Sequence, residues 1–269
     1  MKLHITCRQC PTTITANGSV EMNWIEVEER DDGIYRVNCN AGHSVVTIQS
    51  NLKYEILFDN ACKAILDGYL RDGVTTIAAA LERFYEFYIR VICFKHGVDH
   101  DSLTEAWKVV KSQSERQLGA YIFCYLIDHP KSIPAVIDKS TPKLENISVG
   151  QTKTWTAFRN NVVHNGFIPS PNETNSYCEL VYFHILELID DLQKNSKEAL
   201  EKTIENHQET IKKKARESSD TKSIPYINIT SAVSIDTETI RFENFQDVLR
   251  FAEEGRHLMT KLTSNQSIL

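Results

Sequence analysis

The chain lacks any hydrophobic run near the ~18 residues that a membrane span needs. Its first residues, MKLHITCRQC, also lack the charged and apolar regions of a secretory leader. Both absences point to a cytoplasmic protein with no membrane partner. Positive charge is scarce too: 30 Lys and Arg stand against 36 Asp and Glu, for a net charge of −6. That excludes a globally basic nucleic-acid binder but not a local basic cleft, because the field at a site follows the distribution of charge rather than its total. Glycine (10) and proline (7) are few in 269 residues, which excludes fibrous and low-complexity chains. There is no internal repeat, no Gly-rich phosphate loop, no nucleophile elbow and no helix-borne His-Glu-x-x-His.

The remainder is a folding composition, 41% hydrophobic and 25% charged, with length for one large unit or two smaller ones. Residues 1–50 read as short strands. Thr12 to Ala16 runs into the turn pair Asn17-Gly18, and Trp24 to Glu28 and Ile34 to Asn38 flank the hairpin-like Asp31-Asp32-Gly33. Acids gather on that hairpin at Glu26, Glu28, Glu29, Asp31 and Asp32. From Tyr54 the hydrophobic period becomes helical, along Tyr54, Phe58, Ala61 and Ile65. After an Arg71-Asp72-Gly73 break it resumes along Val74, Ile77, Leu81, Phe84, Tyr88 and Ile92. Helices follow near 102–110, 114–128 and 151–164, with Pro130, Pro134 and Pro142 marking 129–150 as a loop. Pro169 and Pro171 break the pattern again, and a long helix runs from Tyr177 to about Ser218. A β-like stretch (224–242) and a helix from about Phe245 to Leu262 close the chain. The expected architecture is mostly α: a helical domain over 51–218, preceded by a small β module over 1–50, zinc-ribbon-like in its Cys7-x2-Cys10 and Cys39-x3-His43 pairs, and followed by an α/β extension over 219–269.

Seven cysteines are an odd number, and in a reducing compartment a close Cys pair raises the question of metal before disulfide. Cys7-x2-Cys10 is separated from Cys39 by 28 residues, and Cys39-x3-His43 forms a second pair across the expected hairpin. Three thiolates and an imidazole suit tetrahedral structural Zn²⁺, whose filled positions leave none for catalysis. So few apolar positions in fifty residues also make a metal useful for folding. The plainer reading is a chance CxxC with a surface His43. Cys62, Cys93, Cys124 and Cys178 sit in helical periods as core fillers.

The segment Phe158-Arg159-Asn160-Asn161-Val162-Val163-His164-Asn165-Gly166 places a cation, a carboxamide and an imidazole at the end of a helix. Asn160 and His164 share a face, while Arg159 lies about 140° around the cylinder from His164 at ~100° per residue. Gly166 ends the helix just beyond. An imidazole that titrates near neutrality can move the proton of a ribose 2′-hydroxyl, and a guanidinium can stabilise the phosphorane charge, with no metal required. The alternative is a surface salt bridge at Arg159 and a helix C-cap at His164.

The string Arg159-Asn160-x3-His164 comes near the end of a helical domain, after the aromatic helix Ala79 to Phe87. In this it resembles the HEPN superfamily, whose motif is R-x4-6-H with a polar residue after the Arg. The resemblance covers about 54–195. It implies a dimeric helical bundle and a metal-independent endoribonuclease, commonly an antiviral, abortive-infection or toxin effector, cutting RNA in a cleft between two protomers. Arg159 would stabilise phosphate, His164 would be the acid/base, Asn160 would support the cleft and Glu82 would orient Arg159. The HEPN toxins modified by a nucleotidyltransferase antitoxin carry a tyrosine two residues past the His, where this chain has Gly166, so an antitoxin or regulatory partner would act by another route.

The alternative is a non-catalytic HEPN-like interaction module with a structural zinc. A zinc-dependent transcription regulator is weakened by the acidic ribbon. Lys212 to Arg216 reads as a solvated helix face, and His96, His129 and His184 have no ligand-spaced partner. Trp155, Phe158, Tyr85 and Tyr88 exceed what a short bundle readily buries and are the expected homodimer surface.

Overall fold

A computed structural model describes residues 2–14, 20–137, 154–217, 224–235 and 241–264. The expected Asn17-Gly18 turn, most of the proline loop and residues 236–240 lie outside the described residues. The protein is mostly helical, with a small N-terminal β region and a short C-terminal tail. None of its described helices is long and apolar enough to cross a membrane.

The chain forms two compact units. One takes residues 1–51, 205–229 and 254–269, the other 52–204 and 230–253. This differs from three successive blocks at 1–50, 51–218 and 219–269, and the reason is burial. The N-terminal strands carry too few apolar side chains to close a core, and later segments of the chain supply the rest.

In the first unit, β1 (Lys2–Thr6) pairs antiparallel with β4 (Trp24–Glu28), and β2 (Thr13–Ile14) pairs with β3 (Val20–Glu21). A third sheet has the order β5 (Ile34–Asn38), β6 (Ser44–Gln49), β7 (Tyr226–Ile227), with β6 and β7 parallel. The expected β4–β5 hairpin is therefore corrected. Both strands exist, but each pairs elsewhere. Gly33, at φ +63°, turns the chain, and its carbonyl accepts from the Gln49 amide (2.9 Å), which feeds β5 into the ladder with β6. Leu3, Ile5, Val27 and Tyr35 form one apolar cluster, and Ile34, Ile48, Ala215 and Ile224 another. Asn51 clamps the later segment, its carboxamide donating to Ile229 O (2.7 Å) and accepting from Ile229 N (2.8 Å).

The second unit is built from α1 (Lys53–Leu66), α2 (Leu70–Lys95), α3 (His100–Val110), α4 (Ser114–Asp128), α5 (Trp155–His164) and α6 (Pro171–Asn195). The first parts of α7 (Lys197–Arg216) and α8 (Phe245–Ser264) complete it. One continuous apolar core fills it. The α1–α2 turn falls at Gly68 (φ +82°), not at Gly73. Gly73 sits in the first turn of α2, where an added Cβ would lie 2.4 Å from Ile65 Cγ1, so glycine there is what lets α1 approach. Pro171 opens α6 instead of breaking it: it stands at the first helical position, behind a Ser170/Glu173 capping box. The single long helix expected to reach Ser218 is interrupted at Ser196, between α6 and α7.

Trp155, Phe158, Tyr85 and Tyr88 are 5%, 0%, 5% and 0% exposed, inside this core. They are corrected from a surface for a second copy to packing of the unit itself. Cys62 and Cys178 are buried there as core fillers, with Cys93 and Cys124 packed at its edge.

Candidate metal centre and candidate active site

Two tight turns bring the four sequence-predicted ligands together. At the end of β1 the Cys7 amide donates to Asn23 O (3.1 Å) and the Cys10 amide donates back to Cys7 O (3.2 Å). At the β5–β6 turn the Cys39 amide donates to His43 O (3.0 Å) and the Gly42 amide to Cys39 O (2.8 Å), with Gly42 at φ +82°. The ligand pairs thus come from the end of one strand and the turn of a hairpin, rather than from the two sides of a β4–β5 ribbon. Cys10 Sγ lies 3.6 Å from Cys39 Sγ, and His43 Nδ1 lies 3.8, 3.4 and 3.5 Å from the sulfurs of Cys7, Cys10 and Cys39. A tetrahedron with metal–sulfur bonds of ~2.3 Å and a metal–nitrogen bond of ~2.0 Å has edges of about 3.8 Å between sulfurs and about 3.5 Å from sulfur to nitrogen. The cluster has these dimensions and can hold a metal ion.

Its protons are unequally held. Burial, then hydrogen bonding to the Cys39 and Cys7 thiols, pushes the Cys10 thiol up to about 11. At Cys39 burial also acts upward, but the backbone amides of His43 and Ala41 and the neighbouring thiols outweigh it and bring the group down to about 6. Of these two thiols, Cys39 is the one held low and Cys10 the one held high, and a bound cation favours the thiolate form of its ligands. Outside the ligands, the Asn23 carboxamide donates to Cys10 Sγ (3.3 Å), an orienting contact that the spacing of the ligands does not signal.

In the second unit, Trp155, Phe158 and Val162 anchor α5. Trp155 and Phe158 pack on Tyr177, with ring centroids 5.9 and 5.5 Å away. The anchoring fixes the rotation of α5 and leaves Arg159 and Asn160 half-buried beside it. The Arg159 guanidinium pairs with the Glu82 carboxylate of α2 and donates through Nη1 to Asn160 Oδ1 (2.9 Å). Three of the four motif residues are thereby brought together. His164 is exposed at the last turn of α5 and makes no hydrogen bond or ion pair among the described residues. The chain then turns away through Gly166 at φ +72°, with the Asn165 and Phe167 amides both donating to Asn161 O (3.1 Å each). A fifth residue, Arg71 of α2, reaches this helix end, donating from Nε to Val162 O (3.1 Å) and from Nη2 to Val163 O (3.4 Å). It lies 91 positions from its nearer target, so no local pattern marks it.

The histidines without sequence partners acquire them in the fold. His184 is buried against the Tyr85 hydroxyl (2.9 Å), and burial lowers it to about 4. His129 Nε2 meets Asp191 Oδ1 (2.9 Å), and His96 Nε2 meets Asp128 Oδ1 (3.2 Å). Asp128, His129 and Asp191 are close enough to gather around a cation. Their oxygens, however, are already served. Lys95 Nζ lies 2.7 and 2.9 Å from the two Asp128 oxygens, and the Tyr88 hydroxyl (3.3 Å) and Asn195 Nδ2 (2.8 Å) donate to Asp191. An ammonium in that position opposes a second cation, and the group works as an ion-pair network tying the end of α4 to α6.

The Lys212 to Arg216 run is the outer side of α7: Lys213, Lys214 and Arg216 are exposed while Ala215 points into the first unit's core. Searches of protein-family models, of curated proteins and of solved structures give no match to the chain.

Proposed function

We propose that the protein is a HEPN-type endoribonuclease whose chemistry rests on Arg159 and His164 and needs no metal, with a structural zinc at Cys7, Cys10, Cys39 and His43. The observation that carries this reading is the pairing around α5: a guanidinium aimed by Glu82 and Asn160, and on the last turn of the same helix an imidazole without a partner among the described residues. Arg159 retains N–H groups beyond those given to Glu82 and Asn160, and these are available to a phosphate oxygen. His164 would accept the proton of a ribose 2′-hydroxyl while the 2′-oxygen attacks phosphorus. The P–O5′ bond breaks as the new bond forms, leaving a 2′,3′-cyclic phosphate and a 5′-oxygen that takes a proton from an imidazolium.

A second copy of the chain supplies that donor and encloses the phosphate. Its contact surface is not the Trp155 face, which the unit uses for its own core. The three thiols of a zinc site suit a reducing cytosol. An antiviral or toxin role follows from the same resemblance, and control by a modified tyrosine two residues past His164 is replaced, at Gly166, by some other restraint.

Incubating the purified protein with total RNA in chelator tests the reading. The expected result is cleavage leaving cyclic-phosphate ends, lost by a factor of about 100 or more in His164→Ala and comparably in Arg159→Lys, since an ammonium cannot replace a planar fork. Intact RNA, or cleavage unchanged in both variants, overturns it and leaves the non-catalytic interaction module.

A further inference from the structure

We infer that Arg71 is a positioning residue of the Arg159/His164 site, an inference that rests on the ribonuclease reading above. The last four carbonyls of a helix have no amide of their own helix to receive. In α5, Asn161 O takes the Asn165 and Phe167 amides, and the left-handed Gly166 then carries the chain away. Val162 O and Val163 O are met instead by Arg71, with one guanidinium nitrogen to each (3.1 and 3.4 Å). A cation on the last turn also opposes the negative end of the helix dipole.

His164 is the next residue after those two carbonyls. It is exposed and has no side-chain partner among the described residues, so its aim depends on the backbone turn that Arg71 holds. The base of that grip is firm, because Arg71 lies in the first turn of α2, two residues before the Gly73 that packs against Ile65 of α1. Eleven residues further on, about 20° past three full turns of a helix at ~100° per residue, α2 presents Glu82 to Arg159. One face of α2 therefore fixes both halves of the motif, the guanidinium through Glu82 and the imidazole's turn through Arg71.

The test uses the full chain carrying Arg71→Gln and Arg71→Lys. A defined RNA gives kcat and KM separately, and hydrogen exchange is followed at the Asn165 and Phe167 amides. Arg71→Gln is expected to lower kcat about 100-fold, the scale of a misplaced catalytic group, with KM within about twofold. Arg71→Lys should fall nearly as far, because one ammonium does not span two carbonyls. Exchange at Asn165 and Phe167 should speed up about tenfold while amides in the middle of α2 and α6 keep their protection, which separates a loosened helix end from global unfolding. A loss in KM with kcat intact would make Arg71 a phosphate contact and overturn the inference, as would wild-type kcat in Arg71→Lys or unchanged exchange at the two amides. An inactive wild type would remove the ribonuclease reading instead, and the exchange measurement would still decide whether Arg71 holds the turn.

Discussion

The two units solve the same problem with different means. The helical unit buries a continuous run of aromatic and aliphatic side chains from its described helices, and a buried imidazole, His184, meets the Tyr85 hydroxyl inside it. The strand unit has three small apolar clusters, one of which consists of Cys7, Cys39 and Val45, two of its three members being potential metal ligands. Beside those clusters it has a Cys/His group that can hold a metal ion, and Asn51 clamps Ile229. Stability by apolar burial is spread over dozens of residues and tolerates local loss. Stability by coordination, as proposed for the strand unit, would be concentrated in four side chains.

That contrast sets the order of the experiments. Removing the metal, by chelation or Cys39→Ser, should have the largest effect, because structural zinc sites supply about 10 kcal/mol or more of folding free energy. Bound metal should drop from one per chain to none, and the fluorescence of Trp24 in the strand unit should change while helical circular dichroism persists. Helix lost along with the metal would break the comparison. Trp155→Glu makes the reciprocal cut. A carboxylate in the aromatic packing of α5 should cost about 4 kcal/mol or more, lowering the melting temperature of the helical unit while metal content is unchanged.

Third comes pH. His184 is neutral in the folded unit until about pH 4, whereas an unfolded chain protonates it near 6.5. Between those values the unfolded state binds the extra proton, so stability is full above 6.5 and falls as pH drops toward 4. At 1.36 kcal/mol per pH unit the whole loss is about 3 kcal/mol. Denaturant unfolding at pH 7.5 and 5 should show part of it, and His184→Gln, whose carboxamide can still hydrogen-bond the Tyr85 hydroxyl but does not titrate, should flatten the dependence. The smallest effect is expected for Asn23→Ala, which removes the donor to Cys10 Sγ and should weaken metal affinity about tenfold with the fold intact. An affinity equal to wild type would show that the contact does not tune the ligand.

How far the sequence foretells all this depends on the range over which each signal acts. Helical periods place α4 at its observed bounds and α5 nearly so, because Trp155, Phe158 and Val162 recur at helical spacing. The ligand set is legible because CxxC and CxxxH are each short enough to be local. Alternation likewise finds β4 and β5 at their true bounds but not their neighbours, since a period of two marks a face and says nothing of who pairs with it. Pro171 misleads because the same ring that breaks a helix interior suits its first position. The partners of His129, 62 residues away, and of Arg71, 91 residues away, leave no trace in any window.

The parallel pairing of β6 with β7 has a consequence for synthesis. β6 ends at Gln49, and its partner begins at Tyr226. At roughly 5–20 residues per second of translation, the end of β6 at Ile48 and Gln49 waits on the order of 10 to 35 s for its second neighbour. Open strand edges recruit other chains, so the emerging N-terminal segment is open to mispairing until Tyr226 and Ile227 have been made. A fragment ending at residue 51 should therefore aggregate even when given its metal.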